Sequence, residues 1–164
     1  MIYVVIGQSG AGKTTFVKKH FLTGAMELIE KKYPVPVTKC GDVFAIGRYG
    51  IGIRTEGTDT TARNALPKII QTVRRLVEEK KSVLMEGDRI NNDAMFQFLA
   101  TLGVPVRLYL LTCPIATSLA RLREAGSKIT GTFVQCTRTK AMKRFLKWGN
   151  RFDGEVIDTD ERPC

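Results

Sequence analysis

The chain has 164 residues and 18.3 kDa, with 26 Lys and Arg against 16 Asp and Glu, a formal charge of +10. That length suits one domain with a real apolar core and leaves little room for a second, and 43% apolar content argues against a disordered chain. No stretch of about 18 apolar residues argues for a spanning helix, and MIYVVIG at the start has no basic region or cleavage site of a signal peptide, so a soluble, cytoplasmic protein is expected.

In chain order, residues 2–6 (IYVVI) form a short β-branched apolar run that fits a strand buried on both faces. A glycine-rich turn follows, and residues 13–22 read as a helix with Phe16, Val17 and Phe21 available for packing. Residues 24–34 are polar and irregular, with a short helix at about 26–32 as one option. Pro34 and Pro36 precede an extended stretch at about 37–46, and the glycine-bearing, polar residues 47–61 read as loop. Leu66, Ile69, Ile70, Val73, Leu76 and Val77 share one helical face, with Pro67 near the start where its missing N–H does no harm. Residues 82–85 are a second buried strand, ending in Glu86-Gly87-Asp88-Arg89, and Asn91 or Asn92 caps a helix running to about Leu102. Residues 104–111 are a further strand, a helix opens after Pro114 and ends at Gly126, a last helix covers about 133–149, and 155–157 is a final short strand. Alternating strands and helices imply right-handed βαβ units in a five-stranded parallel sheet, helices on both faces and ligands at the carboxyl ends of the strands.

Cys40, Cys113, Cys136 and Cys164 form no C-x-x-C pair, so structural thiols are expected rather than a zinc site, a disulfide framework or a disulfide-linked partner. His20 has no ligand-type neighbour at metal spacing and reads as a boundary histidine. Charge is concentrated: residues 121–151 hold nine basic side chains against Glu124 alone, which suggests a polyanionic partner or substrate.

Gly7-Gln8-Ser9-Gly10-Ala11-Gly12-Lys13-Thr14 matches G-x-x-x-x-G-K-[ST] in full, between a strand and a helix. Glycines allow successive N–H groups to face phosphates, and the helix start adds a positive dipole end. Lys13 supplies a point charge to the β- and γ-phosphates, Thr14 a hydroxyl to Mg²⁺, and Thr15 extends the set. The expected ligands are ATP and Mg²⁺. This segment resembles the phosphate loop of P-loop NTPases, which implies their three-layer α/β fold.

No N-K-x-D base-reading motif of GTPases is present. The strand end Glu86 to Arg89, and Arg121-Leu122-Arg123 followed by Gly126 and a polar stretch to Gly131, resemble the acid-arginine strand end and the arginine-bearing lid of small nucleotide and nucleoside kinases in the P-loop kinase superfamily. The likeness spans most of the chain and implies one kinase domain over residues 1–164, with a basic lid and helix at about 121–151. Phosphoryl transfer needs in-line geometry, charge neutralisation and an acceptor for the hydroxyl proton. Lys13, Glu86, Asp88 and Arg121 are the candidate catalytic residues, with Asp42 a further candidate base; either Glu86 or Asp88 serves the Mg²⁺ shell or acts as base, and Arg89 faces a substrate phosphate. Arg48, Tyr49, Thr58 and Asp59 form a loop set suited to an acceptor base, although Thr58 and Asp59 equally suit a helix cap.

The G-R-Y loop at 47–49, Gly57-Thr58-Asp59-Thr60 and Glu86-Gly87-Asp88-Arg89 also look like small bacteriophage P-loop kinases, among them the 5-hydroxymethyluracil DNA kinases, which implies a phage protein in the host cytoplasm that modifies DNA. Lys140, Arg144, Lys147 and Arg151 lie at i, i+4, i+7 and i+11, one basic stripe able to track a DNA backbone. The sequence therefore favours the hydroxymethyl group of 5-hydroxymethyluracil in DNA as acceptor. A deoxynucleoside monophosphate kinase acting on free nucleotides and a non-catalytic, NTP-dependent DNA-binding module are the alternatives.

Overall fold

The computed structural model describes residues 1–50 and 56–160. Its strands are β1 (Ile2–Gly7), β2 (Met26–Ile29), β3 (Val37–Cys40), β4 (Val43–Ile46), β5 (Ser82–Glu86), β6 (Val106–Thr112) and β7 (Gly154–Asp158). Its α-helices are α1 (Lys13–His20), α2 (Leu66–Glu78), α3 (Asp93–Thr101), α4 (Ile115–Glu124) and α5 (Gly131–Trp148).

All seven strands join one mixed sheet in the order β2-β3-β4-β5-β1-β6-β7. From β4 to β7 every neighbouring pair is parallel, whereas β2–β3 and β3–β4 are antiparallel. This corrects the five-stranded parallel sheet on two counts. The extended stretch at 37–46 is a hairpin: Gly41, at φ 54, reverses the chain so that Cys40 faces Val43. The segment read as irregular or helical at 26–32 contributes β2, whose Met26 and Leu28 lie exposed on the sheet edge. Four residues with weak periodicity say little about pairing, because an edge strand draws its stability from the partner's backbone.

The period of two explains the layers. Ile2, Val4 and Ile6 of β1, with Val83, Met85, Leu108 and Leu110, join a core with Ile69, Val73 and Leu76 of α2 and Met95, Phe96 and Leu99 of α3. Trp148 of α5 packs on the same side, stacked on Phe152 at 5.4 Å. Val5, Leu84 and Leu111 point the other way, against Val17 and Phe16 of α1. Alternate residues of every central strand thus enter opposite cores. Asn92 caps α3, its side chain accepting from Met95 N at 3.0 Å, and Thr130 caps α5 through Phe133 N at 3.4 Å. Among the described residues, no helix is long and apolar enough to cross a membrane. Cys40, Cys113 and Cys136 are free thiols, and Cys164 lies outside the described residues.

The parallel strands carry the chain in one direction, so the loops after β1, β4, β5 and β6 gather at one end of the sheet. The β3–β4 turn lies at the other.

Candidate functional site

The loop after β1 runs straight into α1 with Gly12 in the left-handed region, φ 76. Gly10, at φ 79, has no room for a Cβ, which would stand 2.6 Å from the Ser118 carbonyl oxygen of α4. Gln8 does not face a ligand with its side chain. Its amide is buried, and Nε2 donates to the Cys113 carbonyl and to Ser118 Oγ, both at 2.8 Å. Ser9 N donates to Thr137 Oγ1 of α5 at 3.1 Å. The loop is therefore held by side-chain hydrogen bonds on two helices, while its own shape is set by glycine.

Lys13 Nζ lies over that loop, donating to the Gly7 carbonyl at 3.1 Å and the Gln8 carbonyl at 2.9 Å. Thr14 Oγ1 donates to Glu86 Oε1 at 2.9 Å. Glu86, at the carboxyl end of β5, is 2% exposed. Burial raises its pKa from 4.5 to about 7; the Lys13 charge and the Thr14 hydrogen bond oppose that shift, and the nearby Asp59 and Glu56 carboxylates add to it. A carboxylate poised near neutrality beside a phosphate loop is able to hold or release a proton.

Ser9, Gly10, Gly12, Lys13, Thr14 and Thr15 form one wall of an open cleft of about 500 Å³, and Glu56, Asp59, Glu86 and Arg121 join them. Leu122, Ala125 and Ile129 supply an apolar wall from α4 and the segment after it. Ala11 is fully buried behind the loop.

The structure separates the remaining predicted residues. Thr58 is buried, its hydroxyl donating to the Glu86 carbonyl at 2.6 Å, so it supports the strand end. Asp59 reaches the cleft. Tyr49 is 5% exposed and belongs to the smaller core, so in this conformation the ring is covered and not offered for stacking. Burial first, then the Glu86 and Glu56 charges, raises its hydroxyl pKa well above 10. Arg48 is exposed and paired with Glu30 at 2.9 Å. Asp42 sits in the β3–β4 turn, beside the first residue of β5, at the amino ends of the parallel strands. It is one sheet length from the phosphate loop and is not brought to the site.

Asp88 is exposed and accepts from Lys140 Nζ at 2.9 Å. Arg89 is half-buried, with Nε buried and unpartnered among the described residues. The predicted basic stripe of α5 folds onto acids of its own chain: Lys140 on Asp88, Arg144 and Lys147 on Asp93. Arg151 donates to the Ala100 carbonyl at 3.1 Å. These contacts set two carboxylates, Asp88 and Asp93, against the four cations of the stripe, which halves its net charge.

Sequence reasoning passed over Glu56, Thr137, Ser118 and Thr159. Glu56 accepts from Gly50 N at 2.8 Å and pairs with Lys18 at 2.7 Å. Each is a common residue in an unmarked context, and only the distant partner reveals it.

A magnesium ion carried by a nucleotide takes most of its ligands from phosphates and water and one or two from protein. Thr14 Oγ1 and the Glu86 carboxylate fit that need. Among the described residues no group of three or more His, Cys, Asp or Glu is suited to hold a metal alone.

No family model and no curated protein matches the chain. Among solved structures it is similar to deoxyadenosine kinase from M. mycoides with bound dATP, at TM-score 0.48 and 11% identity over 98% of this chain and 92% of that one. It is similar to the same enzyme with the products dCMP and a flexible dCDP, at TM-score 0.47 and 12% identity over 98% and 90% of the two chains. A third likeness is to the dCTP complex, at TM-score 0.46 and 12% identity over 98% and 91%.

Proposed function

We propose that the chain is an ATP-dependent phosphotransferase acting on a free nucleotide, with deoxynucleoside monophosphates as the first acceptors to test. The observation that carries this reading is the meeting of Lys13, Thr14, Glu86 and Asp59 in one cleft beside a complete phosphate loop. Loop N–H groups and Lys13 bind and orient the donor phosphates, and Arg121 adds positive charge where negative charge builds up on the transferred group. Thr14 and Glu86 would hold a magnesium ion brought with the donor, and it would supply positive charge to the phosphates. The bond from the γ-phosphorus to the bridging oxygen breaks as the bond to the acceptor oxygen forms. A proton on that oxygen passes to Glu86 or Asp59, two of the three carboxylates that line the cleft, the third, Glu56, being paired with Lys18.

Polymer recognition has less support. A DNA track draws on several cations along one face, and Lys140, Arg144 and Lys147 share the carboxylates of Asp88 and Asp93, which leaves one net positive charge among them. The 5-hydroxymethyluracil acceptor rested on that stripe and on short loop motifs.

The test is transfer from γ-labelled ATP with Mg²⁺ to four deoxynucleoside monophosphates, plain DNA and 5-hydroxymethyluracil DNA. Label on a monophosphate supports the reading; label on DNA alone overturns the free-acceptor part of it. Lys13→Ala is expected to lower transfer by about a hundredfold or more, and unchanged transfer refutes the assignment of the phosphate loop.

A further inference from the structure

Thr159, directly after β7, is 2% exposed and joins three parts of the molecule. Its hydroxyl accepts from Arg121 Nη1 at 3.1 Å, and its carbonyl accepts from Arg121 Nη2 at 2.9 Å. The same hydroxyl has Ala11 O of the phosphate loop at 3.1 Å and Thr112 O at 3.3 Å as acceptors for its single proton. Thr159 N donates to Thr112 O at 2.9 Å, which fixes the residue to the end of β6.

Two contacts from one residue to the two Nη atoms fix both the place and the rotation of a planar guanidinium. Arg121 stands in the cleft wall near the end of α4, a helix with only Ser118 fully buried. Its helix alone leaves four side-chain torsions free. One buried hydroxyl links the guanidinium to the backbone of the phosphate loop, so the spacing between Arg121 and that loop is set through Thr159. Water has little access at that burial to take over the contact.

We infer that Thr159 is a positioning residue for phosphoryl transfer, holding Arg121 in register with the phosphate loop; this rests on the phosphotransferase reading above. An arginine held in advance of the reaction stabilises charge that develops in the transition state more than it binds the ground state. The effect therefore falls on kcat. A residue that only braced the loop through Ala11 would alter ATP binding and move KM.

The experiment is steady-state kinetics with the acceptor found above, on Thr159→Val, Thr159→Ser, Arg121→Ala and the Thr159→Val/Arg121→Ala double variant, with melting temperatures for each. Thr159→Val is expected to lower kcat about tenfold or more with KM for ATP within about threefold, and Thr159→Ser to retain activity within about threefold. In the Arg121→Ala background the valine is expected to add little further loss, since both changes remove one function. Unchanged kcat, a loss confined to KM, or full additivity in the double variant overturns the inference while leaving the proposed function in place. A wild-type chain that binds a fluorescent ATP analogue with Mg²⁺ yet labels no acceptor overturns the proposed function and this inference with it. Thr159→Ala carries the same expectation should the valine variant fail to fold.

Discussion

Glu86 shows how one side chain couples stability to chemistry. Burial makes its charge costly, and Lys13 with Thr14 compensates only in part, so the folded protein binds a proton that the unfolded chain releases near pH 4.5. Because the folded pKa is raised, its stabilising effect is complete below about 4.5 and is lost as pH rises through about 7. Glu86→Gln is expected to flatten stability over that window, a change of a few kcal/mol read from urea unfolding across pH; an unchanged slope refutes the assignment. Gly57 bears on the same carboxylate. It adopts φ 69, and a Cβ there would stand 2.5 Å from Glu86 Oε1. Gly57→Ala combines left-handed strain with that contact and is expected to cost about 1–3 kcal/mol of stability. It should also displace the acid and lower transfer. The phosphate loop and Glu86 are legible in the sequence because their residues are adjacent or end a marked apolar strand. Glu56 and Thr159 are not, since neither lies within a motif and their side-chain partners Lys18 and Arg121 lie 38 residues away in each case.

Helix α5 takes a different part from the one its charges suggest. Spacing places Lys140, Arg144 and Lys147 on one face correctly, yet that face turns to Asp88 and Asp93 at the end of β5 and the start of α3. Thr137, one turn earlier, accepts from the phosphate loop, so α5 bridges the loops after β1 and β5. Arg144, then Lys147, hold the Asp93 carboxyl down from 3.8 to about 2. A depressed carboxylate contributes above about 3.8 and loses its effect as pH falls through about 2. Asp93→Asn is expected to remove that acid-side dependence and to speed amide exchange in the C-terminal half of α5, as measured by exchange mass spectrometry. Protection equal to wild type would show that the ion pairs do not hold the helix. The segments at 26–29 and 37–46 teach a related lesson. Their β-branched residues suit strands, but the reversal at Gly41 and the antiparallel pairing depend on partner strands, which local pattern does not name.

Across the whole molecule, the mixed sheet separates two cores and two ends. Phe96 is fully buried in the larger core beside Trp148 and Phe152, at ring distances of 6.1 and 6.0 Å. Phe96→Ala is expected to cost about 3–5 kcal/mol, measured by denaturant unfolding, because the surrounding aromatic packing collapses only partly. The direction of β4 places Asp42 at the amino ends of the strands and Asp59 in the cleft, although both are acids in loops of similar composition. Local order alone marked the glycine-rich turn between β1 and α1, the buried β1 and β5 runs and the helical faces, since each depends on neighbours within a few residues and on a fixed backbone period. Folding in three dimensions settled the sheet order, the pairing of the basic stripe and the convergence of Glu56, Arg121 and Thr159. Those depend on groups far apart in the chain, whose charges and hydrogen bonds find partners only once the strands are side by side.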